Sequence, residues 1–265
     1  MSGLLRALIK CWKRKRAAFA SVTFALKLGG VSKHLSAIHT HALDFWMARA
    51  SVVVIVALQL LLVNRLTIGP RWLAPAAELA LLIPLSIATA WAQDMVVKAT
   101  SDHHWHMIAR RRRMIRALAV AMTGIISLMN LASLVMLVTA LLGGTAGTDG
   151  KTLLVDALDI WAINVIAFAL WYWSMDHGGP AARGVSCRTM IDFCFPQLTM
   201  EGAEAREWSP GFIDYLFLSY TNATAFSPTD TMPLTARAKL LMMVQSAISL
   251  LTIALVAARA VNILS

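Results

Sequence analysis

Apolar residues fall into long blocks along this chain, and short basic or polar stretches separate them. Five blocks approach or exceed the roughly 20 residues that a helix needs to cross hydrocarbon: 45–63, 72–92, 115–142, 153–173 and 238–264. The second carries Pro75 and Pro84 as kink points, and the fourth closes on Trp171, Tyr172 and Trp173, an aromatic cluster suited to a headgroup boundary. No period-two alternation supports a β-barrel. The pattern predicts an all-α polytopic membrane protein with five transmembrane helices. Composition agrees, with 58% hydrophobic residues, 14% charged and a mean hydropathy of +0.65, whereas a soluble domain is about a quarter charged.

Charge gives the blocks a direction. The formal net charge of +10 would suit nucleic acid, but the basic residues flank apolar blocks, so no nucleic-acid partner is expected. Arg6, Lys10, Lys13, Arg14, Lys15, Arg16, Lys27 and Lys33 precede the first block, and Lys98, Arg110–Arg113 and Arg116 lie at the second-to-third connection. The opposite connections hold only Arg65 and Arg71, or Lys151. The positive-inside rule predicts a multi-pass protein of the cell membrane with a cytoplasmic N-terminus. Its basic N-terminus and Arg110–Arg113 would meet anionic lipid.

Residues 4–28 read as a basic interfacial helix, or alternatively as a disordered basic arm. Cys11, Cys187 and Cys194 are too scattered for a disulfide framework. Cys187 and Cys194 would pair only in an oxidising compartment; otherwise they are buried thiols. The chain thus divides into a basic segment 1–44, a four-helix region 45–173 with a basic loop at 94–114, a polar loop 174–211, and a C-terminal module 212–265.

That module interrupts itself. A short apolar helix leads into "YTNATAFSPTDTMPL", after which the last long block begins. Non-helical backbone at membrane depth survives only against protein or water, because lipid offers it no hydrogen bonds. A short helix, a hydroxyl-rich loop and a long helix together predict a re-entrant loop. Thr221, Asn222, Thr224, Ser227 and Thr229 supply neutral oxygens, Pro228 and Pro233 end helix, and Asp230 adds a charge that is costly in lipid.

Residues 214–261 resemble the pore helix, filter and inner helix of the potassium-channel superfamily. Its Thr-Val-Gly-Tyr-Gly-Asp run is echoed by Thr224, Ala225, Phe226, Ser227, Pro228, Thr229 and Asp230, with Pro233 following. The segment is also similar to bacterial integral membrane proteins of unassigned function. The resemblance implies a homo-oligomer, a tetramer by analogy, around a path for inorganic ions. It implies a selectivity region at Thr221, Asn222, Thr224, Ala225, Phe226, Ser227, Thr229 and Asp230, and a lining helix presenting Gln245, Ser246, Ser249 and Thr252. Both filter glycines are missing and one residue is inserted before Asp230. Stacked carbonyls need glycine's backbone freedom, so hydroxyls, Asn222 and Asp230 would handle the ion. Potassium channels carry this loop on the extracellular side, whereas the charge count here has it enter from the cytoplasm.

Gln245, Ser249 and Thr252 share a helical face, which suits either a vestibule or hydrogen bonds to a neighbouring helix. A non-conducting scaffold or binding protein is the alternative function; a secondary transporter is a further one, without a visible internal repeat.

Other polar residues carry weaker signals. Glu78 is a possible intramembrane ion or proton site, or else a partner of Arg65 or Arg71. Asp156 and Asp159, near the start of the fourth block, are expected to stay solvated. His103 and His106 with Asp102 make at most a weak metal set beside the reading of a headgroup-facing helix. No catalytic motif stands out, so neither an enzyme, a cofactor nor a metal is expected.

Overall fold

A computed structural model describes residues 31–61, 75–76, 78–80, 102–142, 150–178, 191–200, 208–225 and 230–264. These residues are mostly helical. The long helices are α1 (Val31–Leu61), α2 (Asp102–Leu142), α3 (Gly150–Met175) and α5 (Ala236–Leu264), and the short α4 (Phe212–Thr224) precedes α5. Two-residue strands β1 (Phe193–Cys194) and β2 (Met232–Pro233) pair antiparallel, Phe193 opposite Pro233 and Cys194 opposite Met232. Met114–Ala140, Leu153–Met175 and Ala236–Ala258 are each long and apolar enough to cross a membrane.

Helix α3 is the hub. Most of its span is buried, whereas most of the α2 and α5 spans is not. Its apolar residues run all round the helix, as an interior helix requires. Side chains from α1, α2, α3, α4 and α5 meet in one core that includes Val52, Ile55, Ile126, Phe168, Tyr215 and Met242. A second cluster, Leu134, Leu137, Leu153, Ala157 and Ile160, closes the far end against Leu255 and Val256. Outward-facing Leu128 and Val135 on α2, and Leu240, Met243 and Leu250 on α5, are exposed. That apolar surface matches a hydrocarbon solvent.

Contacts fix the direction of each helix. Asn130 Nδ2 of α2 donates to the Ile160 carbonyl at 3.1 Å, and Leu137 meets Leu153, so α2 and α3 are antiparallel. Phe45, near the middle of α1, packs edge-on against Trp173 at the end of α3, at 5.3 Å. Trp173 in turn packs on Phe212, the first residue of α4, at 5.8 Å. Farther along, Ser219 donates to the Val165 carbonyl and Tyr220 packs on Trp161, so α4 descends along α3. Helix α5 runs the same way, with Ser249 beside Asn164 and Val256 in the far cluster. Helices α4 and α5 therefore both begin at the C-terminal end of α3.

Sequence and structure agree on the third, fourth and last apolar blocks and differ at several boundaries. The first helix begins at Val31 rather than near Phe45, continuing through the polar "HLSAIHTH" into the segment read as 1–44. Helix α2 begins at Asp102, so 102–114 of the predicted basic loop is helical; basic residues have good helix propensity and the tertiary contacts of α2 support it. The polar loop 174–211 contains β1 and a short 3₁₀ turn, Pro196–Leu198. Most of the second predicted block, and all of 4–28, lie outside the described residues.

Candidate functional site

A band of polar side chains crosses the helix interfaces of the C-terminal module. The buried residues of α5, among those whose side chains are described, are Ala238, Met242, Gln245, Ser249 and Thr252. Their alternating spacing of four and three gives one narrow stripe, the pattern of a helix seated against neighbours. Small Ala238 and Ser249 permit close approach, and Gln245 brings four hydrogen-bonding valences to the middle.

Gln245 uses both ends of its amide. Its Oε1 accepts from Tyr172 Oη at 2.5 Å and from Asn222 Nδ2 at 2.8 Å. Its Nε2 donates to the Ser219 carbonyl at 2.9 Å and contacts Ser219 Oγ at 2.7 Å. Asn222 Nδ2 also donates to the Met242 carbonyl at 3.1 Å, and Asn164 Nδ2 donates to Ser249 Oγ at 2.9 Å. Asn164 Oδ1 keeps no hydrogen-bond partner. The network ties α3, α4 and α5 together where water is excluded, and there each bond is electrostatically stronger than in water.

A second assembly caps these helices where α4 and α5 begin. Asp192, just before β1, is fully buried. Arg237 Nε and Nη2 donate to its two carboxylate oxygens, each at 2.7 Å, in a fork geometry suited to guanidinium. Thr235 Oγ1 donates to Asp192 Oδ1 at 2.5 Å, and the Leu234 amide to its carbonyl at 2.8 Å. The Asp192 amide donates to Asp176 Oδ1 at 2.8 Å, and Tyr215 Oη to Asp176 Oδ2 at 2.6 Å.

His177 Nδ1 lies 2.7 Å from Asp176 Oδ2, an electrostatic contact rather than a well-aligned hydrogen bond. His177 holds a left-handed backbone, φ 56°, a strained conformation for a residue with a side chain. Burial opposes ionisation of Asp176, but His177, Tyr215 and the Asp192 amide outweigh it and hold the carboxyl below its ordinary value.

At the start of α4, Asp44 of α1 accepts the Phe212 amide at 3.0 Å, and Asp214 accepts the Gly211 amide at 2.7 Å. Carboxylates at a helix N-terminus satisfy its open donors and meet the positive end of its dipole.

No protein family, curated protein or solved structure matches the chain.

The residues singled out from sequence divide into three sets. Thr221, Asn222, Gln245, Ser249 and Thr252 are buried within the chain and Ser246 partly so. Thr221 and Thr252 bond back to carbonyls of their own helices, and Ser246 reaches the Asn222 carbonyl at 3.4 Å. Thr224, Ala225 and Asp230 are exposed at the ends of the connection between α4 and β2. Phe226, Ser227 and Thr229, and the side chains of Arg110–Arg113, lie outside the described residues.

Asp156 is buried at 6% exposure instead of solvated, because α3 is enclosed by its neighbours even near its start. Glu78 is joined by Gln59 Nε2 at 2.9 Å. Among the described residues no group of three or more His, Cys, Asp or Glu is arranged to hold a metal. Sequence reasoning did not single out Tyr172, Ser219, Asp176, Asp192, Tyr215 or Arg237 as a linked set. Arg237 and Lys239 stand together at the start of a long apolar helix, and an exposed cation there needs no acidic partner, so charge placement alone did not point to Asp192.

Proposed function

We propose that the chain is a pore-loop membrane protein of the cell membrane that assembles as a symmetric homo-oligomer, most simply a tetramer, around a path for inorganic ions. The common starting end of α4 and α5 carries this reading. Helix α4, thirteen residues, descends about 20 Å along α3. β2 lies back at the end where α5 begins, so the chain returns that distance between Thr224 and Met232. Charge asymmetry puts that end, with the N-terminus, in the cytoplasm.

Backbone of this kind needs protein or water around it. Within one subunit Thr224, Ala225 and Asp230 are exposed, so symmetry mates and the water between them would supply the cover. One loop per chain cannot enclose a path, which is the physical case for a cyclic assembly. In this reading Thr224, Asp230 and the intervening hydroxyls meet the ion, while Asn222 and Gln245 hold the loop's supporting helix in place.

A second reading, a non-conducting scaffold, draws on the inward stripe of α5. Gln245, Ser249 and Thr252 face neighbouring helices, which leaves Leu240, Met243, Val244, Leu250, Leu251 and Ile253 as the exposed large side chains in the middle of that helix. Full-length protein in liposomes separates the two. Cation flux that falls in Thr224→Val or Asp230→Asn, with the oligomer intact, supports the pore. An assembled protein that passes no ion at any voltage, pH or salt supports the scaffold.

A further inference from the structure

Glu78 lies in the helical stretch 78–80 and is fully buried. Gln59, near the end of α1, donates from Nε2 to Glu78 Oε1 at 2.9 Å. The second oxygen of each residue, Glu78 Oε2 and Gln59 Oε1, is also buried and has no hydrogen-bond partner. Two orphaned acceptors thus remain on a pair already joined by one bond.

An ionised carboxylate in such a place is a buried charge with a single donor, a costly arrangement. Among the described side chains nothing offsets it; Arg65 and Arg71, the partners suggested by sequence, lie outside the described residues. Among the described side chains of α1 the charged groups are Asp44 and Arg49, and Arg49 is ten residues from Gln59, about 15 Å along the axis. Among the described side chains of α2 the charged group is Arg116, toward the opposite end of the bundle from Gln59, and those of α3 are the acids Asp156 and Asp159, which supply no positive charge. One added proton resolves both defects. It removes the charge, and it converts Glu78 Oε2 into a donor whose natural acceptor is Gln59 Oε1. Acid and amide then close a ring of two antiparallel hydrogen bonds. A hard metal cation is a poorer occupant, because it takes six or more oxygens and the pair offers one carboxyl and one amide oxygen.

We propose that Glu78 and Gln59 form an intramembrane proton-binding site, in which Glu78 rests as the neutral acid and donates to Gln59. The proton is delivered by hydronium from the bulk: one of its O–H bonds breaks, the O–H bond of the acid forms, and a neutral water is left. The site is independent of the pore reading, since both residues belong to elements outside the C-terminal module.

Infrared spectroscopy of the full-length protein in lipid nanodiscs at neutral pH tests it. A protonated-carboxyl C=O band that downshifts in D₂O, loses intensity in Glu78→Gln and moves in Gln59→Leu is the expected result. Glu78→Gln preserves both hydrogen bonds as an amide pair and so should fold. Glu78→Asp, which keeps an acid on a shorter arm, should shift the band without removing it. A spectrum that Glu78→Gln leaves unchanged overturns the proposal. So does conversion of the Glu78 band to a carboxylate band on adding Na⁺, K⁺ or Ca²⁺, which would make this a metal-cation site.

Discussion

Tyr172 donates its phenol proton to Gln245 Oε1 at 2.5 Å, across the interface of α3 and α5 and 73 positions away in sequence. That one acceptor is shared with Asn222 of α4, so three helices depend on a single amide. Gln245→Leu would strand the Tyr172 hydroxyl in a dry interface and remove the side-chain donor to the Ser219 carbonyl. Interhelical bonds in membranes are worth about 0.6 kcal/mol each and up to about 1.7, so the loss should reach about 2 kcal/mol. Thermal unfolding of the purified protein should show it. Tyr172→Phe should cost about 1 kcal/mol alone and almost nothing in the Gln245→Leu background.

The fork between Arg237 and Asp192 should dominate the stability of the cap. Asp192 is fully buried, while the Arg237 side chain is half exposed. Removing the arginine leaves a buried carboxylate with Thr235 as its remaining side-chain donor. Breaking such pairs costs about 3–5 kcal/mol when both ions are buried; with one end in solvent about 2 kcal/mol is expected for Arg237→Ala. Arg237→Lys should recover only part of this, since an ammonium cannot make two parallel bonds. Limited proteolysis near β1 and β2 should accelerate in the same order.

These two networks also mark where sequence reading stopped. The spacing of Gln245, Ser249 and Thr252 was enough to assign them to a common face, but a polar stripe on an apolar helix looks the same whether it meets water or another helix. The direction was decided by Tyr172, Ser219 and Asn164, whose positions in their own helices carry no periodic signal pointing to α5. Asp176 and Asp192 stood among several charges in a mixed polar loop, and their partners Tyr215 and Arg237 are 39 and 45 residues away. By contrast, the start of α4 at Phe212 was legible, because Pro210 and Gly211 precede a short apolar run; its end was not, since Tyr220–Thr224, read from sequence as the opening of the loop, is helical.

Asp176 should give the cap a measurable acid limit. Its folded-state pKa is depressed below the ordinary 3.8, because His177, Tyr215 and the Asp192 amide together outweigh burial. A depressed carboxyl stabilises the fold above its unfolded value, and that contribution is lost as pH falls through the folded value. The Tm difference between the native chain and Asp176→Asn should be full at neutral pH and persist to about pH 4. Below that it should shrink. A difference that grows with acidification would contradict the assignment.

Gly211 and Asp44 make the last test, one of close approach rather than charge alone. A Cβ on Gly211 would stand 2.8 Å from Asp44 Oδ1, the atom that accepts the Phe212 amide. Because the obstructing atom is the tip of a flexible side chain, Gly211→Ala should swing the carboxylate away rather than distort the backbone. The cost is then that of a lost helix cap, about 1 kcal/mol. Asp44→Ala should cost a similar amount, and the double variant little more than either alone, since both changes remove one interaction. Equilibrium unfolding of the four proteins gives the coupling directly. Additive losses would mean that Gly211 is required for something other than the approach of Asp44 from α1 to the start of α4.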